Sequence, residues 1–233
     1  MRYLVNHGES WGLLGYEALE AVGERLLALI LVVAIAPVIT LIAIAIRVDS
    51  AGSPIFAQER VGKNGSRFTL YKFRTMHLEN DDSNYKEYVK RLVIGGLPYR
   101  VDHRGKALYK IIDDSRVTRF GALLRKTNLD ELPQVFNVLN GDMSFVGPRP
   151  DIPFAVEMYS DWHRERLRVR PGITGLWQVS ERNSLSFDEM VKLDIEYINN
   201  KSLFYDFKIL LRTVGVILAM DGSYRREKEA KHG

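Results

Sequence analysis

The chain has 233 residues, enough for one sizeable domain with its own core, and a formal charge of +4. That basic balance (pI ≈ 9.2) suits anionic partners such as phosphates, nucleic acid or acidic lipid, without choosing among them. The absence of cysteine excludes disulfides and thiolate metal sites.

The first element is an uncharged apolar run, Leu26 to Ile46, between Arg25 and Arg47. It is long enough to cross a bilayer. It does not read as a cleaved signal peptide: it starts late, Glu9, Glu17, Glu20 and Glu24 precede it, and no small-residue cleavage site follows. Pro37 cannot donate to the carbonyl of Val33, so a kink is expected there. Two topologies follow. A kinked helix could cross, or a sharp break could turn the chain back to the face it entered. In the second case each half would reach roughly 15 Å, about half the hydrocarbon thickness.

Ile55 to Val61 and Arg67 to Phe73 flank the turn Lys63-Asn64-Gly65-Ser66 like a short hairpin, with Phe68, Leu70 and Lys72 sharing a face by alternation. Residues 77–113 read as a polar insertion or lid, with a helix around Tyr85 to Val93. Val117, Phe120 and Leu124 recur at helical spacing. The next helix shows Leu132, Val135, Phe136 and Leu139 on one face and stops at Asn140-Gly141; Pro133 belongs to its first turn, which places Asp130 at or near the N-cap. Ile152 to Val169 reads as one amphipathic helix, and Phe187 to Asn199 as another. Phe207 to Met220 is apolar but too short to span; it suits the membrane interface or an ordinary core helix, and its apolar surface could meet lipid or another subunit. Arg225 to Lys231 reads as a frayed charged tail within 222–233.

Acids such as Asp130 and Glu131 often begin a helix simply because they offset its dipole. Here Arg125, Lys126 and Arg149 lie close in sequence, and Lys72 and Arg74 come from the hairpin. Carboxylates among fixed cations are what phosphoryl transfer needs, and an aspartate can itself attack phosphorus. An anion attacking an anion calls for a divalent cation, and Mg²⁺ favours one or two carboxylates plus substrate phosphate oxygens. Arg149 stands between Pro148 and Pro150, which restrict the backbone that aims it. His77, His103 and His163 read as surface residues, and Trp177 as core.

The runs SPIFAQERVGKNG, FTLYKFRTM, RKTNLDELPQVFNVLNGDMSFVGPRP and RPGITGLWQV resemble the bacterial sugar transferase family, the monotopic phosphoglycosyl transferases. The resemblance implies an α/β fold, mostly helical with a short β-hairpin, a re-entrant membrane helix (25–48) broken at Pro37, interfacial amphipathic helices, and a cytoplasmic catalytic domain over 49–221. It implies transfer of a sugar 1-phosphate from a UDP-sugar to polyprenyl phosphate (undecaprenyl phosphate) with release of UMP, at the cytoplasmic face of the bacterial inner membrane, initiating surface glycan assembly. Membrane lipid is then a partner and nucleic acid is not. By that resemblance Asp130 is the nucleophile and contacts Mg²⁺, Glu131 supports metal or proton handling, and Lys72, Arg74, Arg125 and Arg149 bind phosphate. Ala36 stands before the proline where many relatives have Ser, and the short leader (1–24) is expected to leave no room for a further membrane region. Two rivals remain: a noncatalytic basic membrane adaptor, and a metal-dependent glycosyltransferase using Asp81-Asp82 or Asp113-Asp114 that would release UDP.

Overall fold

A long run of Leu, Ile, Val and Ala without Gly forms helix readily, and the chain opens with one, α1 (His7–Asp49). The computed structural model describes residues 7–77, 83–95, 98, 100–101, 107–108, 116–180 and 185–218; the acid pairs at 81–82 and 113–114, His103 and the tail lie outside them. Pro37 does not end α1, which passes through it as one element; the Thr40 hydroxyl donates to the Ala36 carbonyl (2.9 Å) beside it. A stripe of Ala28, Leu31, Val32, Ile35, Ile39, Ile42, Ala43 and Ile46 packs on the rest of the protein, keeping helical step on both sides of the proline. The opposite face (Leu19, Val22, Leu26, Ile30, Val33, Leu41, Ile44, Val48) is exposed.

The expected hairpin forms with the expected bounds, β1 (Ile55–Val61) and β2 (Arg67–Phe73), antiparallel from Ile55↔Phe73 to Val61↔Arg67. Its turn places Asn64 and Gly65 at positive φ, 56° and 81°, conformations those residue types accept. The helix expected in the insertion is α2 (Ser83–Gly95), whose Val89 and Val93 are buried against Val61, Val156, Tyr159 and Val191, so this part of the insertion belongs to the core. Two short strands follow, β3 (Arg100–Val101) and β4 (Ala107–Leu108).

α3 (Arg119–Thr127) is N-capped by Thr118, whose hydroxyl accepts from Gly121 N, and it lies so close to the end of β2 that a Cβ at Gly121 would overlap the Thr75 carbonyl. α4 (Gln134–Asn140) packs on β2 and α1. Its buried Asn137 completes the strand edge: the side-chain oxygen accepts from Tyr71 N (3.1 Å) and the amide donates to Thr69 O (2.6 Å). Beyond Gly141, in the left-handed region at φ 87°, β5 (Ser144–Val146) pairs in parallel with β6 (Gly172–Thr174).

Two sequence expectations are corrected between these strands. Ile152 to Val169 is not one helix but α5 (Pro153–Glu157), α6 (Asp161–Arg164) and a 3₁₀ turn, because Ser160 starts a new helix in a capping box with His163. His163 is therefore buried, not a surface residue, and its Nε2 lies 3.0 Å from Asp188. α7 (Phe187–Asn200) and α8 (Leu203–Leu218) close the fold. The inward face of α8 carries Tyr205, Asp206, Ile209 and Thr213, while Leu203, Phe204, Phe207, Leu211, Val214 and Leu218 are exposed.

Candidate active site

Asp130 and Glu131 do not cap α4. They occupy a 3₁₀ turn, Leu129–Glu131, entered from Asn128 in the left-handed region (φ 56°), and Pro133 takes the N-cap position of α4 instead. The leucines on either side fix this turn: Leu129 and Leu132 pack with Phe73, Leu124 and the Ile42–Ile46 end of α1. The acids are thereby held beside the end of β2 that carries Lys72.

The two carboxylates differ. Glu131 is gripped by Arg149, whose Nη2 donates to it at 2.7 Å, and this contact holds the Arg149 guanidinium above its ordinary pKa. Among the described residues no side chain ties Asp130 in a hydrogen bond or ion pair. Burial, reinforced by the Glu131 charge, pushes Asp130 up to about 6, while Lys72, Arg125 and Arg149 pull the other way. Lys72 is drawn down to about 8, first by burial and then by Arg60, with Asp130 opposing. A half-buried acid beside Lys72, Arg125 and Arg149 sits where anionic groups such as phosphates would be received.

Of the cations expected at the site, Lys72, Arg125 and Arg149 gather around Asp130. Arg125 reaches it from α3, steadied by its Nε donating to the Thr75 hydroxyl (2.9 Å). Arg74 is not part of the cluster. It is buried, donates to the main-chain oxygens of Ser50 and Ala51 and to the Ser50 hydroxyl, and so pins the exit of α1.

Arg60 is the member the sequence reading missed. Burial lowers its pKa, Arg149 adds to that, and Tyr85 of the insertion, Asp151 and Glu131 oppose it. Its Nη1 donates to Pro150 O (3.1 Å) and its Nη2 to Gln58 (2.7 Å), while Nε is buried with no partner among the described residues. The signal lay in the hairpin register: Arg60 pairs with Phe68, and Phe56 with Lys72, so all four share one face.

For a divalent cation the donor set offers Asp130, with Glu131 already bound to Arg149. Among the described residues no three His, Asp or Glu converge.

Comparison with known proteins decides the family. A profile described as bacterial sugar transferase matches residues 16–220. The chain belongs to the bacterial sugar transferase family. The chain is 44% identical over 173 residues to the galactosyl transferase CpsE of Streptococcus agalactiae, covering 74% of itself but only 36% of CpsE. It is 38% identical over 201 residues to the exopolysaccharide production protein ExoY of Sinorhizobium fredii, covering 86% of each. A UDP-glucose:undecaprenyl-phosphate glucose-1-phosphate transferase of Caulobacter vibrioides is 39% identical over 207 residues, 84% of this chain and 68% of that one. The chain thus spans just over a third of some relatives and most of others.

Proposed function

We propose that the protein moves a sugar 1-phosphate from a UDP-sugar to polyprenyl phosphate, undecaprenyl phosphate in a bacterial membrane, and thereby starts exopolysaccharide or capsule assembly. The observation that carries this reading is the asymmetry of the two acids: Glu131 is clamped by Arg149, and Asp130 stands half-buried near Lys72, Arg125 and Arg149 with no bonded partner among the described residues. Asp130 attacks the sugar-bearing phosphorus of the donor; the bridging P–O bond breaks and UMP leaves. The polyprenyl phosphate oxygen then attacks the same phosphorus, expels the carboxylate and yields the diphosphate-linked lipid sugar. Lys72, Arg125, Arg149 and Arg60 hold the donor phosphates and offset the charge that gathers on their oxygens. Asp130 would hold Mg²⁺, which would supply further charge neutralisation for the donor phosphates.

The placement of α1 supports a one-sided membrane topology. Its N-terminal half is tied to the body by Glu20–Lys201 (2.8 Å) and Glu24–Arg170 (2.7 Å), and its C-terminal exit by Arg74. One folded body cannot lie on both sides of a bilayer, so a helix bound to it at both ends stays on one face, here the cytoplasmic face of the inner membrane. The exposed apolar faces of α1 and α8 are the surfaces this leaves to lipid.

The test is incubation with a panel of UDP-sugars, polyprenyl phosphate and Mg²⁺. UMP release and a labelled ester on Asp130, both lost in Asp130→Asn, are expected. Release of UDP would mean a glycosyltransferase, and no nucleotide release would mean an adaptor.

A further inference from the structure

Behind the acid-and-cation cluster lies a second set of charges. Arg166 is 4% exposed. Its Nη1 donates to the Asp151 carboxylate (2.7 Å) and to the Tyr159 hydroxyl (2.9 Å), and that hydroxyl donates in turn to Asp151. Its Nη2 lies 2.6 Å from the Asp194 carboxylate and donates to the main-chain oxygen of Arg149 (3.2 Å). Its guanidinium also stands 5.7 Å from the Phe187 ring.

Stability alone does not explain such a network. Attraction between buried ions roughly offsets their desolvation, and apolar side chains of similar volume serve as well. What the network supplies is placement. The Arg149 carbonyl is held from one side by Arg166, and the next carbonyl, that of Pro150, by Arg60 at 3.1 Å. Pro148 and Pro150 restrict the remaining freedom of the loop. With its backbone fixed at these points, the Arg149 side chain meets Glu131 at 2.7 Å.

We propose that Arg166 is a positioning residue: through the Arg149 carbonyl and the Asp151 carboxylate it aims Arg149 into the phosphate-binding cluster. The proposal rests on the sugar-phosphate transfer reading and deepens it. The test is a double-mutant cycle on the full chain in lipid nanodiscs, scored by UMP release, together with hydrogen exchange of the segment 144–151. Arg166→Lys keeps the charge but cannot serve the same acceptors. Alone it lowers kcat/KM for the UDP-sugar by about tenfold or more; added to Arg149→Ala it lowers it by less than about twofold, because the side chain it aims is gone. Exchange over 144–151 rises in Arg166→Lys while the β1–β2 hairpin is unchanged. Tyr159→Phe, which removes only the shared hydroxyl, gives the same pattern at smaller amplitude and takes the place of Arg166→Lys if that variant does not fold. Equal fold losses in both backgrounds, or wild-type kcat/KM and exchange in Arg166→Lys, overturn the proposal. If the wild-type chain releases no UMP, the transfer reading falls, and the exchange result still decides whether Arg166 holds this loop: a rise supports it and no change overturns it.

Discussion

Arg60, in β1, and Arg74, just beyond the end of β2, both come from the hairpin yet serve different ends. Arg74 donates to the exit of α1, so its loss leaves the Ser50 and Ala51 carbonyls without those partners. Arg74→Ala should cost about 2–4 kcal/mol, a drop of about 5–10 °C in the unfolding midpoint measured in detergent, with the UDP-sugar KM within about twofold of wild type. Arg60 faces Asp151, Glu131 and the Arg149 loop, so Arg60→Ala should reduce kcat/KM about 100-fold, the cost typical of one lost stabilising donor. A comparable KM effect from Arg74→Ala, or full activity in Arg60→Ala, would reverse these assignments. From the sequence, the acids and Arg149 were legible because a short helix and a proline-bounded loop bring them together. Arg60 and Arg74 were not, because which of them faces the acids depends on pairing and on the last strand residue, Phe73, beyond which alternation no longer holds.

At the scale of elements, the sequence was readable wherever one periodicity ran uninterrupted. The hairpin has a clear turn, and α7 has Ser186 and Glu189 in a capping box ahead of its apolar stripe. The stretch from Ile152 to Val169 misled because its apolar spacing continues across Ser160, where capping restarts the helix. The polar face of α8 makes a further prediction. Asp206 accepts from the Tyr197 hydroxyl (2.7 Å), and burial pushes its carboxyl up to about 6, with Glu20 and Glu24 adding to that and Lys201 opposing. A folded-state pKa above the ordinary 3.8 means that the folded protein binds this proton more tightly than the unfolded chain. The group therefore stabilises the fold as pH falls through about 6 towards 4, and that gain is absent above neutrality. Because Asp206 is partly open to solvent, the effect is discounted to about 1 kcal/mol. Between pH 7.5 and 5 the unfolding midpoint should rise by about 2–4 °C relative to that of Asp206→Asn followed over the same range. Parallel curves for the two proteins would remove Asp206 from this account.

For the whole molecule, the decisive relation is between α1 and everything after it. A helix that crosses a bilayer leaves its two ends separated by about 30 Å of hydrocarbon. Here one body binds α1 near both ends, through Lys201 and Arg170 at Glu20 and Glu24, and through Arg74 at Ser50. The buried stripe between those ends is continuous, so the body also covers one side of the apolar run, leaving only the outer side to acyl chains. Under the proposed one-sided topology such a helix lies in or dips into one leaflet, and the packing of Leu129 and Leu132 on it carries Asp130 to the depth where the proposed lipid phosphate and nucleotide sugar both reach it. Because the chain has no cysteine, a single introduced thiol reports its own location without background. Ala18→Cys and Asp49→Cys mark exposed positions that flank the apolar run outside its lipid-facing side chains. In intact spheroplasts neither should react with a membrane-impermeant maleimide, and in inverted vesicles both should. A thiol at either end that is labelled only from outside would place that end across the membrane, which no arrangement with one body bound to both ends of α1 permits.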